Sequence, residues 1–369
     1  MRNRMLADDD RSTGVGHGNS ATLTAGSSRR EFLKSLAVAG AGAMLPVSGS
    51  MKLGAQVTRS TQGRIDVHHH MAPPFYVKAM EQEIAPTAAY RNWSPAVSIE
   101  KMDKANVATS ILSPVQGLVR DSLSDRSGRA RSLARQNNEY GAQVVKDAPK
   151  RFGLFATLPM PDVEGSLQEI AYAYDTLKAD GIGLFSSYMD KWPGDALFAS
   201  LFDELNRRKA VIFFHPAHHT CCRNMDGLTG TIEFDIDTAR AIDSLLLSGT
   251  FSRCPDIRFI FSHAGGAFTT LAPRMIDDFP QRFANRVPHG VEYEFKKLYF
   301  DTAHAGAAAP LDALKDVVPT SQILYGSDVP IREYALTDDK LEKYGGFSPA
   351  EWQAVNRGNA ERLFPRLKG

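Results

Sequence analysis

Arg64-Ile65-Asp66-Val67-His68-His69-His70 is a short, mostly apolar run that closes on three consecutive histidines. Read as a strand from Arg64 to His68, it carries His68 and His70 past its C-terminal end. Side chains alternate along extended chain, so His68 and His70 point to one side and His69 to the other. An H-x-H pair on one side can grip a single ion. The same pattern, an apolar strand ending in a polar residue able to do chemistry, recurs along the rest of the chain.

Seven further strands are read at Ala108–Leu112, Phe152–Thr157, Gly181–Ser186, Val211–His215, Arg258–His263, Leu298–Thr302 and Ile323–Ser327. Each is a near-continuous apolar run, as expected of strands covered on both faces. Amphipathic helical stretches lie between them. Leu197, Phe198, Leu201, Phe202 and Leu205 form one apolar stripe, and Ile170, Tyr174 and Leu177 another. Eight strand–helix alternations fit a single α/β (β/α)8 TIM barrel better than an open doubly wound sheet. No G-x-G-x-x-G follows the first strand, which weighs against a dinucleotide-binding fold. Asn359–Phe364 is read as the closing helix. The long connections 216–235 and 278–296 read as binding loops or lids.

In such a barrel the chemistry sits at the C-terminal ends of the strands. His215 ends the fifth strand, His263 the sixth and Asp328 the eighth, so with His68 and His70 they converge on one rim. A lone histidine is more often a core or surface residue. Five residues at the correct ends of four strands are a site. Three imidazoles and a carboxylate suit zinc or another borderline divalent ion and leave a position for water or substrate. His304, after the seventh strand, is placed to reach the rim and contact substrate.

Several motifs together resemble the amidohydrolase superfamily, in the branch of aminocarboxymuconate-semialdehyde decarboxylase and the salicylate- and resorcylate-type decarboxylases. They are Asp66-x-His68-x-His70, Met102-Asp103, Phe152 to Leu158-Pro159, His215-Pro216, Ser262-His263-Ala264-Gly265-Gly266, Tyr325-Gly326-Ser327-Asp328 and Asn359–Phe364. The resemblance spans residues 64–365. It implies that His68, His70, His215 and Asp328 hold one divalent ion, zinc or manganese, with His263 beside it and not ligating. The fourth strand has no lysine, so the site is read as mononuclear.

The resemblance further implies non-oxidative decarboxylation of a hydroxylated aromatic or conjugated carboxylic acid, with Asp328 and His263 handling the proton. Hydrolysis of a lactone, amide or ester on the same residues is the alternative. An arginine is expected to grip the substrate carboxylate, because guanidinium pairs with it bidentately. Arg91 is the candidate and Arg120 its rival. Phe75, Tyr76, Tyr188 and Trp192 are candidate apolar walls.

The balance of 43 basic and 42 acidic residues in 369 gives no reason to expect a nucleic-acid or anionic-membrane partner. A small carboxylic acid is the expected partner, and a homodimer or larger homo-oligomer the expected assembly. Three cysteines are too few for a disulfide framework. A Cys221–Cys254 or Cys222–Cys254 bridge fits the count, but free thiols are the simpler reading. His218, His219, Cys221 and Cys222 match no structural zinc spacing and read as lid.

Residues 1–60 differ from the rest, and residues 61–369 are read as one barrel domain. The first thirty positions are polar and cannot bury a core. Ser28-Arg29-Arg30-Glu31-Phe32-Leu33-Lys34 then precedes a mildly apolar run, Leu36–Leu45. This resembles the twin-arginine export signal, implying the twin-arginine machinery as a partner and a periplasmic or secreted destination. The run is too short for a permanent membrane span.

Overall fold

The computed structural model describes residues 63–81, 86–114, 128–189, 191–217 and 229–368. Arg29, Arg30, Arg120, His218, His219, Cys221 and Cys222 lie outside these, as do the readings that rest on them. Eight parallel strands run in sequence order: β1 Arg64–Met71, β2 Val107–Pro114, β3 Phe152–Thr157, β4 Gly181–Phe185, β5 Val211–His215, β6 Arg258–Phe261, β7 Tyr299–Asp301 and β8 Ile323–Leu324. Helices connect them, making a (β/α)8 barrel.

The seam between β8 and β1 is closed by single backbone hydrogen bonds instead of a regular ladder. Val67 N–H donates to Tyr325 (3.0 Å), Asp328 N–H to His68 (2.9 Å) and His70 N–H to Val329 (2.7 Å). Strand β8 is shorter than expected because its next donor, Tyr325 N–H, turns outward to the carbonyl of Val355 at 3.0 Å. Strand β6 also stops early, since His263 and Ala264 take left-handed backbone angles (φ 56° and 54°) that no strand accommodates.

Two apolar layers hold the barrel together. Inside it, Ile65, Val67, Ile111, Phe155, Val211, Phe213, Ile260 and Leu324 fill the lumen, with Phe364 and Leu367 closing the floor. Burying one such side chain is worth about 1.5–3 kcal/mol. Between strands and helices a larger cluster includes Phe198, Leu201, Phe202 and Leu205, whereas Leu197 is 48% exposed. The eight residues of β1 are all buried.

Strict alternation from Ile65 and Val67 would send His68 outward. A one-residue bulge prevents this. Between Asp66 and His69 the register against β2 slips, three residues of β1 facing two of β2. The slip lets Val67 and His68 both face the lumen. Asp66 and His69 then face out, where His69 bonds Ser98 Oγ (2.9 Å) and Tyr334 (3.1 Å).

The connection 278–296 is not a lid. It folds into a 3₁₀ turn (Gln281–Arg286) and a short helix (Val291–Phe295). Arg286 bonds the carbonyl of Leu247, the last residue of helix Phe234–Leu247, at the end of that helix away from the strand β5 C-terminus that leads into it. Cys254 is a buried free thiol. Among the described residues no helix is long and apolar enough to cross a membrane.

Candidate metal centre

The bulge delivers His68 and His70 to the rim with their Nε2 atoms 3.2 Å apart. Strand β5 delivers His215, whose ring lies 5.1 Å from that of His68 and 4.7 Å from that of His70. Asp328 enters from the β8 loop. Its Oδ1 stands 3.2 Å from His68 Nε2 and 2.9 Å from His70 Nε2. His263 stacks on His68, centroids 5.2 Å apart, with Nε2 3.8 Å from Asp328 Oδ2.

The Nδ1 atoms are committed elsewhere. That of His68 meets Asp301 Oδ2 at 2.8 Å, and that of His70 meets Ser113 Oγ at 3.1 Å. His215 Nδ1 donates to the carbonyl of Pro216 at 2.9 Å, which fixes its proton there and leaves Nε2 as a lone pair. His263 Nε2 and Asp328 Oδ1 are buried without a hydrogen-bond partner. Buried polar atoms left without partners are costly unless a charge joins them, so this donor set fits a divalent ion.

A compact group of ligand atoms, all within 4.8 Å of one another, comprises His68, His215, His263 and Asp328. It contains His263 where the sequence reading had His70, although His70 Nε2 approaches Asp328 more closely than His263 does. Geometry alone therefore offers five donors, and the exclusion of His263 rests on the family resemblance.

Electrostatics separates the histidines. Burial opposes charge on His68, yet Asp301 and Asp328 outweigh it and lift its pKa to about 10. Burial pushes His215 well below the usual imidazole range, helped by the neighbouring His70 and His68, and also lowers His70. Asp328 is held well below the ordinary carboxylate range: burial resists, but the neighbouring His68, His263 and His304 prevail.

His304 does reach the site. Its Nε2 lies 2.8 Å from Asp328 Oδ2, and its Nδ1 faces Arg332 Nη1 at 3.4 Å. Guanidinium can only donate, so His304 Nδ1 accepts and its Nε2–H points at Asp328. Arg91 lies at the surface, 52% exposed and 3.8 Å from Glu81. Its neighbour Tyr90 is the residue of that turn that feels the charge of Asp328, with burial the main cause of its raised pKa. Among the proposed aromatic walls, Tyr188 folds back to accept from Phe185 N–H (2.8 Å), and Trp192 Nε1 donates to Asp237 (2.9 Å). Tyr76 is fully buried and Phe75 packs against Tyr140.

The sequence reading passed over Asp301, Ser113, Arg332 and Asp235. Asp235 stands near enough to His263 and His304 to feel both. Asp301 was the most accessible of these, a carboxylate at the end of a barrel strand.

A parallel barrel with this histidine–aspartate cluster at its C-terminal mouth defines the class, and the chain belongs to the amidohydrolase family, whose model matches residues 65–366. Among its relatives, decarboxylase yanB of Aspergillus niger is 34% identical over 83% of this chain and 88% of its own length. The 6-methylsalicylic acid decarboxylase of Penicillium expansum is 32% identical, over 83% of this chain and 97% of its own. A crystal structure of 2,6-dihydroxybenzoate decarboxylase with 2,6-dihydroxybenzoate superposes with a TM-score of 0.72 at 19% identity, covering 82% of this chain and 99% of that one. The dihydroxybenzoic acid decarboxylase of Polaromonas, with bound manganese and 2-nitroresorcinol, superposes with a TM-score of 0.71 at 21% identity, covering 84% and 98%.

Proposed function

We propose that the protein removes CO2, without oxidation, from an aromatic acid bearing a hydroxyl beside the carboxylate, a compound of the 6-methylsalicylate type. The enzyme is a carboxy-lyase of the amidohydrolase family. The observation that carries the reading is the buried convergence of His68, His70, His215 and Asp328 with His263 stacked alongside, in a chain 32–34% identical to decarboxylases of this kind. His68, His70, His215 and Asp328 would hold one ion, zinc or manganese. When bound, it supplies the positive charge that anchors the substrate's carboxylate and adjacent oxygen.

The chain's own groups then manage one proton. The ring carbon bearing the carboxylate gains a proton, its bond to the carboxylate breaks, and that electron pair returns to the ring as CO2 leaves. Asp328 and His263, 3.8 Å apart, are the groups that hold and pass this proton. His304, fixed by Arg332, orients Asp328 Oδ2. The cationic Arg332, held against His304, favours an anionic substrate. Hydrolysis of a lactone or ester gains no support from these relatives.

In deuterated water, turnover places one deuterium on the carbon that lost CO2. Metal-replete protein that releases no CO2 from any ortho-hydroxybenzoate, yet opens a lactone rapidly, overturns the proposal. The segment around Arg29 and Arg30 carries a separate proposal, export of the folded enzyme by the twin-arginine route.

A further inference from the structure

Asp301 ends β7 with no exposed surface, and its carboxylate is fully engaged. Oδ1 accepts two backbone donors, His263 N–H at 3.0 Å and Ala303 N–H at 2.9 Å, while Oδ2 meets His68 Nδ1 at 2.8 Å. Space for this carboxylate is kept by Gly326, where a Cβ would come within 2.8 Å of Asp301 Cγ and 3.0 Å of His68 Cβ. One side chain thus touches a histidine of the metal cluster through its ring and a second, His263, through its backbone.

We infer that Asp301 is a positioning residue that fixes the proton of His68 on Nδ1, keeps Nε2 as the ligand lone pair, and ties that choice to the placement of His263. The inference rests on the reading that His68 ligates through Nε2. A carboxylate can only accept, so the shared hydrogen at Nδ1 belongs to histidine. Carboxylate partners of this kind set the tautomer of ligating histidines and raise their basicity.

The two backbone donors make a sharp test available. In Asp301→Asn the amide oxygen must stay on His263 N–H and Ala303 N–H, because backbone donors cannot reverse. Turning the amide round would leave two buried N–H groups facing an NH2. The Asn nitrogen therefore replaces Oδ2 and donates to His68 Nδ1, driving the histidine proton onto Nε2, where it blocks the ion. Asp301→Ala has the opposite character. It orphans two backbone donors, which costs stability, but leaves His68 free to choose either tautomer.

Two measurements made on the full chain follow: thermal unfolding of metal-stripped protein, and zinc affinity by competition with a chelator. Stability should fall in the order wild type, Asn, Ala. Zinc affinity should fall in the order wild type, Ala, Asn, by about tenfold for Ala and about a hundredfold or more for Asn. A purely structural role gives the same order in both measurements, and that result overturns the inference, as does zinc affinity for Asn equal to or above that for Ala. Nitrogen-15 spectra of histidine-labelled, zinc-loaded wild type give a second reading without any variant. His68 should carry its hydrogen on Nδ1, and a hydrogen on Nε2 overturns the inference. Wild type that binds no zinc or manganese overturns the reading of the metal centre itself, and the inference with it.

Discussion

The backbone N–H of Asp328 donates to the carbonyl of His68 across 2.9 Å, at the one seam of the barrel that lacks a regular ladder. Two members of the metal cluster, 260 positions apart, are thereby joined where the sheet closes on itself. Asp66 reinforces the join. Its carboxylate accepts from His68 N–H (3.0 Å), Ser327 N–H (3.1 Å), Ser327 Oγ (2.6 Å) and Tyr334 (3.0 Å). The contacts that close the barrel are therefore also contacts that hold two members of the metal cluster together.

His215 and His263 should separate metal retention from turnover. His215→Ala removes a candidate ligand, so bound metal falls and the unfolding temperature drops, because an ion bound only by the folded state stabilises it by mass action. His263→Ala should keep one ion per chain and lose turnover by about a hundredfold or more. Elemental analysis of both variants checks this, and metal lost with His263 would move that residue into the ligand set.

Gly326→Ala should be felt at the metal centre although it adds only a methyl group. The new Cβ would contact Asp301 and His68 inside van der Waals distance. Overpacking of this kind costs about 1–3 kcal/mol. Zinc affinity should fall along with the unfolding temperature, whereas Gly345→Ala, at a φ of 65° with open space around it, should lower stability and leave zinc affinity intact.

Arg332→Met should lower turnover about tenfold while leaving the metal content unchanged. The guanidinium reaches Asp328 only through His304, and without it His304 can turn its lone pair toward Asp328. Loss of an orienting group typically costs an order of magnitude. Arg332→Lys, which restores a donor and a charge, should recover part of the rate.

Acid sensitivity should be traceable to Glu351. It closes the capping box of helix Pro349–Gln353, accepting from Ser348 N–H and Oγ (both 2.8 Å) and from Thr320 (2.8 Å), which hold its pKa down to about 2. A carboxyl with a depressed folded pKa stabilises fully above its unfolded value, about 4.3, and the benefit disappears as pH falls towards 2. Glu351→Ala should therefore cost about 1 kcal/mol at neutral pH and much less near pH 2. An unfolding-temperature gap that stays constant across this window would contradict the assignment.

Replacing both Arg29 and Arg30 with Lys should leave a full-length precursor in the cytoplasm. Fractionation of cells expressing the two forms measures it. A doubly substituted protein that reaches the periplasm at normal yield removes the export proposal.

Most of the barrel was legible because parallel strands covered on both faces write themselves as apolar runs. β3 and β5 match their expected limits residue for residue. The ends of β6 and β8 were not legible, since His263 leaves the strand through a left-handed turn and Tyr325 trades its ladder bond for Val355. The convergence of His68, His70, His215, His263 and Asp328 followed from counting strand ends. The geometry behind it did not, because the bulge between Asp66 and His69 carries no residue signature. Arg91 is expected from its residue type and from its place just before Trp93-Ser94-Pro95, yet it lies at the surface, while an arginine near the site, Arg332, follows Asp328 by only four positions.

His263, His304 and Asp328 all hold left-handed backbone angles, with φ of 56°, 58° and 70°. For residues with a Cβ each such angle costs about 1 kcal/mol that glycine would not incur. Asn106, Lys178, Lys209 and Ala264 hold such angles too, so selection for heat alone can find relief away from the proton-handling groups, whereas glycine at Asp328 would forfeit the stabilisation that a bound ion gives. Any programme to harden this enzyme has to screen for CO2 release whenever it accepts glycine at His263 or His304, because there thermal survival and turnover pull in opposite directions.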